Sequence, residues 1–518
     1  MRSSVSVILS DPPPDSAMSF PDYQQTALDH QSLLILVKQV GQQLKPRTFN
    51  KLYDRISRLQ QVTTRDSQGA RRAVWLRYRR WYPAENNDWG EFQSHRRVLG
   101  LITLESCDDL DVQLQEFANS LFWVLEAKRV DKSAERADKL ALLCAPFERK
   151  DFVGLDMESR SNKKRCMGRA KKHMGDLSLQ TGLPAEAMGY YTAAAELLRQ
   201  SNDWLWLAGC FEGMCAASVA VLYPDLRRAQ VQRNASLNQA RVCRTGRPSA
   251  SNSLPHGIEP AEFLEASRSC LTPAEIVDKY RESVVHYSKY RHAGVIETEC
   301  SLKAVHVLIE QCRYLMAAEF LQNVVFINLQ LSDDEKIQRF TTLSELYSQC
   351  GFHRKAAFFR RVAAMRFVAS QNPQPSWSQC YQLLLQAMDG YRLGLDPSDF
   401  PSGGRRGVSP ATASRAGRRY RPSCSRSWSA RPAEWATRRS PVRHLTFLLH
   451  AMFGALSGGE RAEFAAQLEA LSVQCQPPAA PGPLALETGL IIPARQPLLS
   501  ACCQVRERLQ HYCVPVIR

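Results

Sequence analysis

The stretch from Lys171 to Arg199 constrains the fold of this chain more than any other part of its sequence. It predicts two short amphipathic helices that are joined at Gly182-Leu183-Pro184. Apolar residues recur along the second helix with the 3.6-residue period of a helix, and these are Ala187, Tyr191, Ala194 and Leu198. On the first helix a small residue, Gly175, allows a second helix backbone to approach closely. The stretch therefore predicts a tightly packed helical hairpin.

The same spacing occurs again further along the chain. The intervals between Ser178, Gly182, Ala187 and Ala194 are repeated by Tyr347, Gly351, Ala356 and Ala363. A looser copy consists of Cys312, Ala317, Leu321 and Val324. These intervals follow the tetratricopeptide (TPR) pattern, in which each repeat is one helical hairpin. We therefore predict a TPR-like α-solenoid over residues 160–395, with a flexible loop at 226–259 where the periodicity is lost.

Two helix starts support this prediction. Thr272-Pro273-Ala274-Glu275 and Ser332-Asp333-Asp334-Glu335 both have the pattern of a capping box. In such a box the hydroxyl of the first residue and the carboxylate three positions later accept hydrogen bonds from each other's backbone N–H groups. The first box also has proline at its first helical position. Helices are therefore predicted to begin next to Thr272 and Ser332.

Strand and helix patterns alternate before the solenoid. The strand candidates are residues 33–37, 73–82, 98–104 and 140–144, and the helix candidates are residues 49–59 and 110–129. Strands that alternate with helices are typical of an α/β layer structure. We predict an α/β lobe over residues 21–150. The chain as a whole is then an α+β multidomain protein that is mostly helical.

α/β lobes often bind nucleotides, and those that do carry recognisable motifs. The sequence has no G-x-x-x-x-G-K-[ST] loop, no G-x-G-x-x-G turn after a strand, and no H-E-x-x-H or G-x-S-x-G motif. The sixteen cysteines include no C-x-x-C pair and are interpreted as core residues. We therefore expect no cofactor, no metal site and no catalytic residues. A GTPase-like enzyme in the lobe is kept as a minor alternative.

The net charge of +16 is concentrated in one segment. Eleven arginines and a single acidic residue, Glu434, lie between Gly403 and Arg443. We interpret residues 400–443 as an Arg/Ser/Pro-rich disordered segment, and an RNA-associated protein that uses it as a basic arm is an alternative function. The remaining segments are a disordered N-terminus at 1–20, a helical end of the solenoid at 444–475 and a Pro-containing tail at 476–518.

Two groups of basic residues are candidate partner-binding sites on the solenoid. The first consists of Lys163, Lys164, Arg165, Arg169, Lys171 and Lys172, and the second of Arg354, Lys355, Arg360 and Arg361. Either group could bind an acidic partner, and the first could also bind an anionic membrane surface. The alternative for both is an ordinary solvated helix face. No apolar run approaches the roughly 20 residues that span a membrane, so we expect a cytosolic protein.

Three stretches resemble subunit 9 of the transport protein particle (TRAPP) complex, a family also called NIK- and IKK-beta-binding protein. They are residues 82–92 (YPAENNDWGEF), 146–156 (PFERKDFVGLD) and 347–365 (YSQCGFHRKAAFFRRVAAM). The resemblance covers roughly residues 20–400 and then 444–449. It implies a non-catalytic subunit of an assembly that tethers vesicles at the Golgi and promotes nucleotide exchange on Rab-family GTPases.

The resemblance also implies particular partners and a location. The partners would be other TRAPP subunits, a Rab-family GTPase reached through the complex, and kinases of NF-kappa-B signalling; no specific nucleic acid is expected. The protein would associate peripherally with Golgi or ER–Golgi membranes. The family's fold would be an α/β lobe, an α-solenoid and then immunoglobulin-like β domains.

The sequence departs from the family's pattern in three places. Family members are about twice as long or longer, and this chain stops before their β domains. The connection around Cys107 to Leu110 is much shorter than in the family, so we expect an incomplete lobe with an exposed sheet edge beside it. The segment from Gly404 to Pro441 stands where the family has a helix. We hypothesise a shifted reading frame or a splice variant there, which sequencing the transcript across codons 400–445 would test.

Overall fold

The computed structural model of the chain describes residues 21–39, 45–104, 110–133, 141–149, 159–223, 267–369, 375–391 and 456–474, with a few isolated positions elsewhere. Four predicted segments, 1–20, 226–259, 400–443 and 476–518, lie almost entirely outside these residues. The chain divides into two compact units, residues 1–330 and 331–518. This division falls inside the predicted solenoid. The first unit contains both the lobe and the first helices of the array.

The lobe is built on a four-stranded sheet. Its strands are β1 (Ser32–Gln39), β2 (Gln61–Arg65), β3 (Arg71–Arg79) and β4 (Val98–Leu104). Its helices are α1 (Pro46–Ile56), α2 (Ala84–Asp88) and α3 (Leu110–Ser133), and 3-10 turns lie at Ala27–Gln31, Trp89–Glu91 and Ser94–Arg96. The strand order is β2-β3-β1-β4, with β1 parallel to both of its neighbours and β2 antiparallel to β3. The parallel strands confirm the α/β character of the lobe, within a fold that is mostly helical.

Three of the four strand predictions are confirmed, and one is wrong. β1, β3 and β4 correspond to the predicted runs, and in β3 the predicted alternation buries Val74, Leu76 and Tyr78. The predicted strand at 140–144 does not form over its described residues, because side chains rather than a neighbouring strand bind this backbone. The carbonyl of Leu143 accepts from Arg169, for example. β2 was missed because it is short and mostly polar.

The apolar core of the lobe lies on the side of the sheet that α1 and α3 cover. Leu33, Ile35 and Val37 of β1 are buried there against Ile56 of α1 and Phe122 of α3. α3 also crosses β4 closely. A Cβ atom at Gly100 would lie 2.5 Å from the ring of Phe117, so only glycine allows this approach. The core extends to Met174 and Leu177 of the first array helix, which connects the lobe to the array.

Six described helices follow in the first unit. They are α4 (Arg160–Gln180), α5 (Pro184–Gln200), α6 (Trp204–Leu222), α7 (Pro273–Tyr287), α8 (Gly294–Glu310) and α9 (Tyr314–Phe326). Successive helices pack against each other. The ring of Tyr191 fits between two glycines, since Cβ atoms at Gly175 and Gly213 would lie 2.7 and 2.6 Å from it. The small residue predicted to allow close packing on α4 therefore does so.

The predicted hairpin turns are confirmed by the backbone. Gly182, between α4 and α5, has φ +83° and Gly351 has φ +82°. In the looser copy Cys312 takes the same left-handed conformation, with φ 57°, although it carries a side chain. Both predicted capping boxes also form. Thr272 and Glu275 exchange hydrogen bonds of 3.3 and 2.8 Å at the start of α7.

The second unit contains helices of the same kind. Its described elements are α10 (Asp333–Gln349), α11 (His353–Phe367), α12 (Trp377–Tyr391), α13 (Gly458–Gln474) and a two-residue pairing of β5 (Leu484–Ala485) with β6 (Ile491–Ile492). Ala356 and Ala363, which repeat the spacing of the first hairpin, are both buried. Ser332 caps α10 as predicted. α13 lies within the predicted helical segment 444–475.

One described helix is longer and more apolar than predicted from the sequence, in which no apolar run of nearly 20 residues was expected. α6 is long and apolar enough to cross a membrane by length and composition alone, although 89% of its apolar window is buried inside the structure. Its single charged residue, Glu212, is paired within the protein. Both features are typical of the core helix of a globular unit.

Candidate functional site

The interior of the first unit contains a group of buried ionisable side chains, which we call the buried charge network. Its members come from the N-terminal segment, from the 3-10 turn before β4, and from α4, α6 and α8. The buried members are His30, His95, Arg96, Lys172, Asp176, Glu212, Glu299 and Lys303, and the partly exposed Asp22 joins them at one end. A charge that loses its water must be paired, because burial of an isolated ion costs many kcal/mol. The geometry of these pairs therefore determines what the network does.

Glu212 of α6 and Lys303 of α8 form the centre of the network. Both side chains have no solvent exposure, and the Lys303 Nζ lies 2.8 Å from the Glu212 Oε1. The other carboxylate oxygen accepts hydrogen bonds from the Tyr287 hydroxyl at 2.8 Å and from the Gln93 amide at 3.0 Å. Burial would raise the pKa of Glu212, but the positive charge of Lys303 holds it below its ordinary value. Glu212 is therefore a carboxylate with every oxygen bound.

Two histidine rings lie in contact beside this pair. The ring centroids of His30 and His95 are 3.9 Å apart, and the His30 Nε2 lies 2.9 Å from the Lys303 Nζ. Burial and the charge of Lys303 lower the pKa of His30 to about 4. Burial and His30 lower the pKa of His95 well below its ordinary value. Both rings are therefore neutral at pH 7, and His30 accepts a hydrogen bond from Lys303.

Arg96 connects the lobe to α8. Its guanidinium is fully buried and donates to Glu299 of α8, to the Gln93 side chain at 2.8 Å and to Asn86 at 3.2 Å. The other oxygen of Glu299 accepts from the backbone N–H of Asp22 at 2.7 Å. One carboxylate of the array thus binds both the 3-10 turn before β4 and the N-terminal segment of the lobe.

Asp22 extends the network to the sheet. Its carboxylate lies 3.0 Å from Arg79 and 3.3 Å from Arg77, both on β3. Burial would raise the pKa of Asp22, but these two arginines and the backbone N–H of Gln24 lower it. The N-terminal segment is therefore fixed to the sheet on one side and to α8 on the other.

A second branch of the network lies on α4. Lys172 and Asp176 are four residues apart on this helix, and both are buried, with 2.7 Å between the Nζ and Oδ2 atoms. Lys172 also donates to the carbonyl of Phe92. Asp176 accepts from the Ser94 hydroxyl at 3.0 Å and from the Tyr191 hydroxyl at 2.8 Å. This branch holds α4 against the turn that precedes β4.

Arg169 forms a separate buried cluster one turn earlier on α4. It donates to Glu148 at 3.0 Å and to Asp203 at 2.7 Å, and its guanidinium lies 4.7 Å from the centre of the Trp206 ring. The Trp206 N–H donates to the same Glu148 carboxylate at 3.0 Å. Arg169, on α4, thus fixes the segment that connects lobe and array to the start of α6.

The first predicted basic group is divided by these contacts. Lys163 is exposed, while Lys164, Arg165 and Lys171 are half-buried near the surface of α4. Arg169 and Lys172 are buried and paired, so the expectation that these two lie on an exposed face was wrong. Their charges are used inside the unit because the residues that face them are acidic. For the other four, a binding role stays a prediction.

The second predicted basic group lies on α11 in the second unit. Arg354 and Lys355 are exposed, and Arg360 and Arg361 are half-buried. The Lys355 Nζ lies 5.3 Å from the centre of the Tyr347 ring, and Arg360 donates to the Gln386 carbonyl at 3.2 Å. A binding role for this group also stays a prediction.

The sequence contains one signal for the buried charge network. Glu212 is the only charged residue in the apolar stretch WLWLAGCFEGMCAASVAVL of α6. A lone charge inside a helix that is apolar on every side requires a buried partner. Spacing does not reveal that the partner is Lys303, 91 residues later. Among the described residues, no group of His, Cys, Asp and Glu could hold a metal ion.

The fold and the network define a class of protein: an α/β lobe joined by buried ion pairs to an array of helical hairpins. The family model for the Trs120/TRAPPC9 N-terminal domain matches residues 126–229. The chain is 40% identical over 560 residues to trafficking protein particle complex subunit 9 of Homo sapiens and of Mus musculus. These matches cover 92% of this chain and 46% of each relative. The chain belongs to the Trs120/TRAPPC9 family, and the resemblance found in its sequence is confirmed.

More distant relatives are also named as subunits of a trafficking protein particle complex. A trafficking protein particle complex II-specific subunit 120 homolog of Arabidopsis thaliana is 24% identical over 298 residues, covering 55% of this chain and 21% of the relative. The chain spans about half the length of its mammalian relatives. The alignment with the human protein extends over 560 positions and is longer than the chain itself, so that relative contains segments without a counterpart here.

Proposed function

We propose that this protein is a non-catalytic scaffold subunit of a TRAPP complex. The observation that carries the proposal is the 40% identity over 92% of the chain to proteins named as subunit 9 of that complex. The fold supports it, since hairpin arrays expose long surfaces that bind other proteins. The buried charge network supports it further. Its ionisable groups are used to hold lobe and array together, and they are directed at each other rather than at a cleft.

Under this proposal the protein acts in Golgi-related vesicle transport. Its direct partners are other TRAPP subunits, and a Rab-family GTPase is reached through the complex. It works in the cytoplasm, peripherally attached to Golgi or ER–Golgi membranes, and a second role is binding of kinases in NF-kappa-B signalling. These finer assignments extend the family's properties to this chain. They need no cofactor.

We propose the surface cations of α4 and α11 as sites of assembly. On α4, the exposed Lys163 and the half-buried Lys164 lie near the start of the helix, whose first turn contains no acidic residue. Lys164 reaches Gln200 of α5 at 2.8 Å, so its charge lies at the junction of the two helices. An acidic surface of a neighbouring subunit is the partner that such cations would bind.

Affinity capture of the tagged full-length chain from cytosol, followed by mass spectrometry, tests the proposal. We expect several TRAPP subunits to be recovered in fixed ratio, also after ribonuclease treatment. The variant K163E/K164E should recover them roughly tenfold less well, because charge reversal at a complementary interface costs more than about 1 kcal/mol. The matched control K279E/R281E changes as many charges on α7 and should recover them as the wild type does. Recovery of RNA-binding proteins alone, lost with ribonuclease, would favour the RNA alternative instead.

A further inference from the structure

Within the described residues, the edge of the sheet at β4 has few of the features that usually protect an exposed strand. In the described part of the chain β4 pairs with β1 only, so one of its two backbone edges has no partner strand. Its sequence, VLGLITL, contains no charged residue and no proline. One register shift interrupts the pairing near Leu99, but the ladder from Gly100 to Leu104 is regular. Natural edge strands usually carry lysine, proline or further bulges, because an open edge invites pairing with another chain.

Apolar side chains flank this edge on both faces of the sheet. Gly100 faces α3, where the methyl group of Leu121 lies 3.2 Å from the position of a Cβ at Gly100, and Val124 is one turn further along that helix and 65% exposed. Leu101 is the next residue of β4 and therefore points to the other face, where it is 36% exposed. The alternating side chains of an added strand would cover Val124 on one face and Leu101 on the other.

Three cations lie together at the beginning of β4. They are Arg97, at the start of the strand, and Lys128 and Lys132, near the end of α3; all three are half-buried. Burial and the positive charges of Arg97 and Lys132 lower the pKa of Lys128. Within the described residues none of the three forms an ion pair, whereas their neighbour Arg129 binds both Glu126 and Glu186. Among the described residues, this corner of the lobe therefore has three cations without an ion-pair partner.

We propose that the β4 edge binds an extended acidic segment of a partner protein by strand addition. The backbone of the segment would pair with the free edge of β4, and its apolar side chains would cover Leu101 and Val124. Its acidic residues would bind Arg97, Lys128 and Lys132 through charge-assisted hydrogen bonds. A second copy of this chain is a poorer occupant, since it would bring another positive cluster to the same edge. The proposal does not depend on membership of a TRAPP complex.

Fluorescence anisotropy of the full-length chain with a labelled peptide tests this inference. The probe is the synthetic peptide Glu-Glu-Val-Thr-Val-Thr-Val-Glu-Glu. We expect saturable binding that weakens about tenfold or more when lysine replaces each glutamate, and also when proline replaces each threonine, because proline has no N–H to donate. The variants L101K and K128S/K132S should each weaken binding by a similar factor. The variant K279S/R281S removes two cations from α7 and should bind as the wild type does.

Several outcomes would overturn the proposal. The first is that the peptide does not bind. The second is that it binds equally well with proline at the threonine positions, because the binding would then be simple charge attraction without backbone pairing. A wild-type dimer in light scattering that L101K converts to a monomer would show that a second copy covers the edge. Circular dichroism of each variant confirms that it is folded. If L101K fails this check, the K128S/K132S variant and the proline peptide still decide the result.

Discussion

Replacing Lys303 with methionine is expected to lower the free energy of unfolding of the first unit by about 3–5 kcal/mol. The substitution leaves the Glu212 carboxylate fully buried without its cation, and it removes the donor that faces His30 at 2.9 Å. Breaking a buried ion pair from one side is costly, because the remaining charge has neither water nor a partner. Urea unfolding followed by tryptophan fluorescence measures the effect, since Trp206 lies in the core of this unit.

Two further variants separate this effect from a general loss of packing. In E212Q/K303M no uncompensated charge remains, and the amide introduced in place of the Glu212 carboxylate can still pair with Tyr287 and Gln93. We therefore expect at least half of the lost stability to return. The variant K279M breaks the exposed pair of Lys279 with Glu282 and should cost less than about 1 kcal/mol. If K303M is no more destabilising than K279M, the buried charge network does not stabilise the unit as described.

The second large effect is a loss of stability as the pH falls from about 6.5 to 4. The pKa of His30 is lowered to about 4, and burial lowers the pKa of His173 to about 3. In this range the unfolded chain binds protons on these histidines while the folded chain does not, so acid favours unfolding. Each histidine should contribute a loss of about 2 kcal/mol between pH 7 and pH 5. Below pH 4.5 the lowered pKa values of Asp22 and Asp176 add to the loss.

One group in the network acts in the opposite direction. Burial raises the pKa of Glu299, so this carboxyl is protonated at a higher pH in the folded chain than in the unfolded chain. Its contribution to the stability of the folded chain is therefore lost as the pH rises. We expect the histidines to dominate above pH 5. Free energies of unfolding measured between pH 7 and pH 4 test this, with the double variant H30Q/H173Q as comparison. A wild-type slope equal to that of the variant would contradict the assignment of the acid sensitivity to these residues.

The hairpins of the array could be predicted from sequence because their determinants are local. The spacing from Gly182 to Ala194 depends on one turn and one helix face, and it reappears at Gly351 and Ala363 with the same left-handed glycine. Both capping boxes also lie within four residues. The strands β1, β3 and β4 are equally local, since each is a run of apolar or alternating residues.

The joining of lobe and array could not be predicted in this way. It depends on pairs such as Arg96 with Glu299, which are 203 residues apart. In the sequence Arg169 and Lys172 look like part of a basic helix surface, because a periodic pattern does not show which acidic residues face them. Their burial is decided by Glu148, Asp203 and Asp176. For the same reason the compact unit extends to residue 330 rather than ending at the predicted lobe boundary.

Assembly into a TRAPP complex is tested most directly by reconstitution from purified components. The full-length chain is mixed with a particle assembled without its own subunit 9, and the mixture is separated by size-exclusion chromatography with light scattering. The chain is expected to elute with the particle in a fixed ratio, and K163E/K164E should shift it toward the free position. Elution of the wild-type chain apart from the particle, at concentrations where both are folded, would contradict the proposed function.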